Sequence, residues 1–317
     1  MPILCNYYVT YRCNARCAFC NIWQDEKYRQ VPDPAAETVE RNLAGLRKVG
    51  VKFVDFTGGE PLLYREIARV LRAAKNQRLV TSITTNGILY PAQREELKGL
   101  VDLLHFSLDA AGRERHDARR GVPCFDRVME SLELVQHDRI KADILFTVTT
   151  DNFQEIPAVA TLAKEHRMVF ILNPVFSYFG NPGLSALALE AMRKEAQKPY
   201  VYVNKGFLRL LEEGGNQVGS PRCKAVTSTL VISPDNHLLI PCFHHARERI
   251  KIQDSLPQAL AGEQIQNMKQ QQGRFPFCQG CTINCYFEPS FVYGVDAYFW
   301  ANISSKLKYF YYKYIRR

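Results

Sequence analysis

Apolar positions along the first two-thirds of the chain fall into short β-rich runs separated by amphipathic stretches. Residues 4–9, 53–57, 79–85, 103–108, 144–149 and 170–175 predict strands, being short and rich in β-branched and aromatic side chains. Residues 37–49, 65–76, 92–99, 125–137 and 156–166 predict helices. In the first of these Val39, Leu43, Leu46 and Val49 recur at helical spacing, and Val128, Leu132 and Val135 do the same in the fourth. Strands that alternate with helices build a parallel sheet, and right-handed crossovers curl such a sheet into a barrel. The expected class is α/β, a partial (β/α)6 TIM-like barrel. Chemistry in such folds gathers at the C-terminal ends of the strands. Those ends, residues 10–12, 58–61, 85–87, 107–109, 149–152 and 173–174, are polar or glycine-bearing, while the strand bodies read as apolar.

Past Pro182-Gly183 the pattern is mixed until about residue 215, where its character changes. Residues 229–232 and 237–240 flank Ser233-Pro234-Asp235-Asn236 and predict a hairpin. The stretch that follows, to Pro289, is cysteine-rich and broken by Gly262, Gly273 and Gly280. Three regions are expected: the barrel over 1–214, a small cysteine-rich α+β extension over 215–290, and a C-terminal helix over 291–317.

Composition adds limits. At 317 residues with 46% hydrophobic and 23% charged positions, the chain buries a sizeable core and is not disordered. It has no apolar run of about 18 residues, so no spanning helix is expected. The N-terminal residues lack a secretory pattern, which makes the cytoplasm the expected compartment. The formal charge is +9, but Lys306, Lys308, Lys313, Arg316 and Arg317 supply five of it, leaving +4 elsewhere. The basic balance therefore describes the tail, and nucleic acid is not expected as a partner.

The ten cysteines are clustered. Cys5 and Cys124 stand apart and read as small buried hydrophobes. Cys13, Cys17 and Cys20 directly follow the first strand; three thiolates at this spacing can bind three irons of a cubane cluster and leave the fourth open. A zinc knuckle would want a fourth ligand close by. Cys223, Cys242, Cys278, Cys281 and Cys285 form a second set, suited to another iron–sulfur cluster or to zinc. His244 and His245, beside Cys242, read as structural or solvated.

Cys13-x3-Cys17-x2-Cys20 after the first strand, with Gly58-Gly59-Glu60-Pro61 after the second, resembles the radical S-adenosylmethionine (SAM) superfamily over roughly residues 3–200. The resemblance implies a 4Fe–4S cluster on the three cysteines. Its open iron would bind the amino and carboxylate groups of SAM, and the Gly-Gly-Glu-Pro turn would meet the methionyl amine. It implies reductive cleavage of SAM to a 5′-deoxyadenosyl radical that abstracts hydrogen from substrate. Thr85, Asn86, Ser107, Asp109, Arg120 and Asn173 sit where family members line the SAM pocket, and Asn152 sits on a similar edge. Asn86-Gly87 also reads as a plain turn, and Asp109 as a helix cap. The second cysteine set resembles the SPASM/twitch extension of the family. Five cysteines fall short of the set that serves two clusters, so one auxiliary 4Fe–4S cluster is implied. Cys223, Cys242, Cys278 and Cys281 are its expected ligands, with Cys285 as a replacement for one of them.

The substrate is the weakest part of the reading. An apolar or small-molecule metabolite (a lipid, isoprenoid, tetrapyrrole or sugar derivative) is favoured. Peptide modification ranks second, since the first strand begins near residue 4 and leaves no room for a leader-binding domain. A non-enzymatic zinc or iron–sulfur binding module is the alternative of another class. A low-potential electron donor such as flavodoxin or ferredoxin is an expected partner. In the C-terminal helix Trp300, Ile303, Leu307, Phe310 or Tyr311, and Tyr314 share one stripe. That stripe is expected to pack on the barrel or a partner subunit, with an anionic membrane surface as the alternative.

Overall fold

The computed structural model describes residues 1–176 and 180–316. Ten strands form a single sheet: β1 (Leu4–Thr10), β2 (Phe53–Gly58), β3 (Val80–Thr85), β4 (Leu103–Ser107), β5 (Ala142–Val148), β6 (Val169–Pro174), β7 (Val201–Tyr202), β8 (Thr229–Ile232), β9 (His237–Ile240) and β10 (Glu248–Lys251). The order is β10-β9-β8-β1-β2-β3-β4-β5-β6-β7. Pairings from β8 through β7 are parallel, and β9 and β10 run antiparallel at one edge. The expected α/β partial barrel is therefore present. Its sheet also continues into the cysteine-rich region, because β8 pairs with β1 in register from Leu4↔Thr229 to Tyr7↔Ile232.

The five predicted helices appear as Ala36–Lys48, Ile67–Asn76, Tyr90–Leu97, Phe125–His137 and Ile156–Glu165. Their apolar sides, including Leu43, Leu46, Leu71, Leu132 and Val159, bury against Val54, Phe56, Ile83, Phe106, Ile144 and Phe146 of the strands. Truncating such a phenylalanine to alanine costs about 3–5 kcal/mol. Alternate strand positions face the other way: Asp55, Thr57, Ser82, Thr84, His105, Thr147 and Asn173 stay partly exposed. The helix-facing side of the strands is apolar, and by the period-2 alternation the inner face mixes these polar groups with Tyr8, Leu103, Leu145 and Ile171.

β7, β10 and the helices Leu256–Ala261, Glu263–Gln271 and Asn284–Ser290 were not predicted, and two further elements depart from expectation. The helix Arg113–Arg120 has no apolar period and was not predicted; it ends on Gly121 in the left-handed region, with φ +64°. The C-terminal helix, Ala297–Phe310 prolonged to Ile315, packs on the molecule with the opposite face from the one its stripe suggested. Tyr298, Asn302, Ser305 and Lys313 are buried, whereas Trp300, Leu307, Phe310 and Tyr311 point to solvent. The reason is that the surface beneath offers hydrogen-bonding groups: Asn204 Nδ2 donates to Asn302 Oδ1 (2.7 Å) and Tyr309 donates to buried Asp143 (2.6 Å). Arg317 of the basic tail lies outside the described residues. No helix among the described residues is long and apolar enough to cross a membrane.

Candidate active site and a second cysteine pocket

The loop after β1 carries Cys13, Cys17 and Cys20, and two neighbouring strand ends hold it. The first is the β2 turn. Gly59 N–H donates to Thr10 O (3.0 Å) and Glu60 N–H to Arg12 O (2.8 Å). A Cβ on Gly58 would stand 1.9 Å from Thr10 O, and one on Gly59 would stand 2.2 Å from Arg12 O. Both positions must therefore be glycine, because the cysteine loop itself occupies the space. On this side of the turn the protein's own backbone fills the space that a side chain would need.

Glu60 is buried behind this turn, and Pro61 opens the short helical turn that follows. The Glu60 carboxylate accepts from Leu62 N–H (3.1 Å), the Thr85 hydroxyl (2.8 Å) and Asn86 N–H (2.8 Å). Burial pushes its pKa up to about 7, although these donors oppose the rise. Asn86 Nδ2 in turn donates to Asn14 Oδ1 (2.7 Å), inside the cysteine loop. Glu60, Thr85 and Asn86 thus form one strut beneath Cys13 and Cys17.

The second clamp is the end of helix Arg113–Arg120. Arg16 N–H donates to Arg120 O (2.7 Å) and Ala18 N–H to Arg119 O (3.0 Å). A Cβ at Gly121 would lie 2.5 Å from Arg16 O, so this glycine too is fixed by close approach. The Arg120 guanidinium is buried, 3.5 Å from Cys17 Sγ through Nη1 and 2.7 Å from Asp109 Oδ2 through Nη2. Burial disfavours its charge, but Asp109 and Cys17 more than offset this and hold it protonated. Asp109 also accepts Thr147 N–H (2.8 Å), so it joins β4, β5 and the cysteine loop and does not serve as a helix cap. Ser107 is buried at the end of β4.

The remaining edge residues have other employment. Asn152 closes the turn after β5, accepting from Thr149 N–H (2.7 Å) and donating to Thr147 O (2.9 Å). Asn173 accepts from Asn284 Nδ2 (3.2 Å) and so faces the C-terminal region.

An iron–sulfur cluster fits the first site on its donor chemistry. Burial pushes the Cys13 thiol up to about 12 and the Cys20 thiol up to about 11. Thiolates there need cationic charge beside them, which iron and Arg120 would supply. Arg120 Nε is buried without a hydrogen-bond partner among the described residues, a donor suited to an incoming carboxylate.

Cys223, Cys242, Cys278 and Cys281 line one pocket with Pro241, His245 and Phe277. Cys285 does not line it but lies close enough that the charges of Cys242 and Cys281 act on it. Asn216, fully buried, fastens this pocket. Its side chain donates to Gly273 O (2.9 Å) and Cys278 O (3.1 Å) and accepts from Arg222 N–H (3.0 Å) and Cys223 N–H (3.2 Å). Its backbone pairs with Gly280 and Cys281. Sequence reasoning missed Asn216; its position directly after Gly214-Gly215 was the available signal.

A tetrahedral zinc site needs sulfurs about 3.8 Å apart. Among the described residues, the one trio of metal-binding side chains with ligand atoms within 4.8 Å of one another is His116, Asp117 and Cys124. No three of the C-terminal cysteine sulfurs meet that spacing among the described residues. Two members of the His116 trio also brace the local backbone, while His116 Nε2 is buried without a hydrogen-bond partner among the described residues. Asp117 Oδ1 accepts from Cys124 N–H (2.9 Å) and Phe125 N–H (2.8 Å), and His116 Nδ1 accepts from Asp109 N–H (3.2 Å). Cys124 and Cys5 are buried, as expected of small hydrophobes. His245 stacks on Phe277, with ring centroids 4.6 Å apart, and His244 meets Phe243 edge-on.

Residues 7–163 match the family model described as the radical SAM superfamily. The chain is 33% identical over 168 residues to the GTP 3′,8-cyclase of Chlorobaculum tepidum, covering 50% of this chain and 49% of that one. It is 26% identical over 162 residues to the Fe-coproporphyrin III synthase of Methanosarcina barkeri, covering 50% and 40%. The chain spans about half the length or less of these curated relatives. Among solved structures, native anSMEcpe with bound AdoMet shares the fold at a TM-score of 0.67 and 16% identity, covering 99% of this chain and 98% of that one. Streptococcus suis SuiB bound to precursor peptide SuiA does so at 0.66 and 16%, covering 84% and 66%. The family match, over the same stretch that carries the clamped cysteine loop, identifies the chain as a member of the radical SAM superfamily of enzymes.

Proposed function

We propose that Cys13, Cys17 and Cys20 hold a 4Fe–4S cluster with SAM at its open iron, and that the enzyme acts on a small molecule seated in the barrel. When bound, the cluster and SAM supply one-electron cleavage of SAM and abstraction of hydrogen from a C–H bond. The observation that carries this reading is the double clamp on the cysteine loop, by Gly58–Glu60 on one side and by Arg119–Gly121 on the other. The chain's own residues fix the three sulfurs, place the Arg120 charge beside Cys17, and leave Arg120 Nε for a carboxylate. Thr85, Asn86, Ser107 and Asp109 line the same edge, and Asn173 stands at its far side.

We further infer one auxiliary 4Fe–4S cluster on Cys223, Cys242, Cys278 and Cys281, in a SPASM/twitch-like segment over 215–290, with an external donor such as flavodoxin or ferredoxin. The inner face sets Asp55, Ser82, Thr84 and Thr147 beside Tyr8, Leu103, Leu145 and Ile171, which favours a substrate that carries both hydrogen-bonding groups and apolar surface. The relatives' names, a cyclase of GTP and a synthase of Fe-coproporphyrin III, support a small molecule. Metal analysis of anaerobically reconstituted protein tests both clusters. About eight iron and eight sulfide per chain are expected, falling to about four of each in Cys17→Ala. Zinc in place of iron at either site would overturn the assignment there.

A further inference from the structure

We propose that the outward face of the C-terminal helix docks on an anionic lipid bilayer. The helix is inverted relative to an ordinary surface helix, which buries its apolar stripe and shows water its polar one. Here Asn302 bonds Asn204, Ser305 Oγ accepts Lys205 N–H (3.0 Å), and Tyr309 and Lys313 reach buried Asp143. Lys308 Nζ donates to Ala196 O and Lys198 O, both at 2.7 Å. These contacts fix the rotation. Turning the stripe inward would take Lys313 and Tyr309 from the buried Asp143 carboxylate, leaving it His105 alone.

The opposite face is left with Trp300 (63% exposed), Leu307 (65%), Phe310 (53%) and Tyr311 (42%), and Ile303 and Tyr314 are half-buried beside them. At 100° per residue these positions share one side of the helix. Val295 (79%) before the helix and Ile315 (63%) at its end extend the apolar run. A contiguous patch of this kind marks an interaction surface.

Charge decides among occupants. Residues 297–316 contain no Asp or Glu. Among the described residues Lys141, Lys205 and Arg316 have no carboxylate within ion-pair distance, and they border the helix. Lys141 Nζ sits 4.8 Å over the Tyr314 ring, Lys205 holds Ser305, and Arg316 Nη1 reaches the Tyr312 hydroxyl (3.5 Å). A two-fold contact between copies would set this cationic border against itself. An anionic bilayer satisfies both features: aromatic and aliphatic side chains enter the headgroup boundary, and the lysines and arginine meet lipid phosphates.

The test is co-sedimentation of the intact protein with vesicles of phosphatidylglycerol and phosphatidylcholine, and with phosphatidylcholine alone, while Trp emission is followed. Binding to the anionic vesicles is expected, with a blue shift and release by salt. Trp300→Ser should abolish the blue shift, and Leu307→Ser with Phe310→Ser should weaken binding roughly tenfold or more. Light scattering on the same samples reports the oligomeric state, and circular dichroism reports whether the variants are folded. Failure of the wild type to bind anionic vesicles better than neutral ones overturns the proposal. So does a wild-type dimer that the Leu307 and Phe310 substitutions convert to monomer, because a second copy would then be the occupant.

Discussion

Glu60 shows how a site residue can serve the site without touching the chemistry. Its carboxylate takes three donors from Leu62, Thr85 and Asn86, yet burial still raises it from 4.5 to about 7. The folded protein therefore keeps a proton that the unfolded chain releases. This contribution is full below about pH 4.5 and is lost as pH rises through 7, by about 3 kcal/mol. Glu60→Gln should remove that slope. It should also lower stability by about 1–3 kcal/mol at acid pH, because one amide face presents N–H to a donor. Denaturation midpoints of both proteins at pH 5 and pH 8 check the sign. Gly58 and Gly59 meet a demand that the motif alone does not reveal. Their identity was apparent from the pattern, but the carbonyls of Thr10 and Arg12 that exclude a Cβ come from another strand.

At the scale of elements, the C-terminal helix depends on the Asp143–Lys313 pair, both side chains nearly fully buried. Lys313→Met leaves Asp143 with only Tyr309 and His105 as partners and should cost about 1–3 kcal/mol, seen as a lowered thermal midpoint. The six parallel strands and their five helices could be read from sequence because each side chain's periodicity is local. The facing of the last helix could not. Its pattern identifies an apolar stripe and a polar one, while the choice between them rests with Asp143, Asn204 and Lys205, more than 90 residues earlier. The helix Arg113–Arg120 escaped for the opposite reason, having no apolar stripe at all. The second cysteine pocket was visible in its cysteines and invisible in its frame. Asn216 ties together the segments bearing Cys223, Cys278 and Cys281. Asn216→Ala should therefore lower iron from about eight to about four per chain while the SAM-site cluster persists. Iron analysis beside electron paramagnetic resonance distinguishes the two clusters.

At the scale of the molecule, the parallel sheet gives every candidate ligand a fixed place on one rim. The cysteine loop follows β1, its glycine clamp ends β2, Thr85 and Asn86 end β3, and Ser107 and Asp109 close β4. Beneath the rim the helix-facing wall is apolar and the inner wall mixed, so the polar groups open to a ligand alternate with core residues along the same strands. The central claim is that this rim cleaves SAM. The measurement that tests it most directly is 5′-deoxyadenosine formation by the anaerobically reconstituted protein with SAM and dithionite, run beside Cys17→Ala. Product from the parent protein and none from the variant is the predicted result. Equal product from both, or none from a parent carrying its full iron and sulfide, would contradict it.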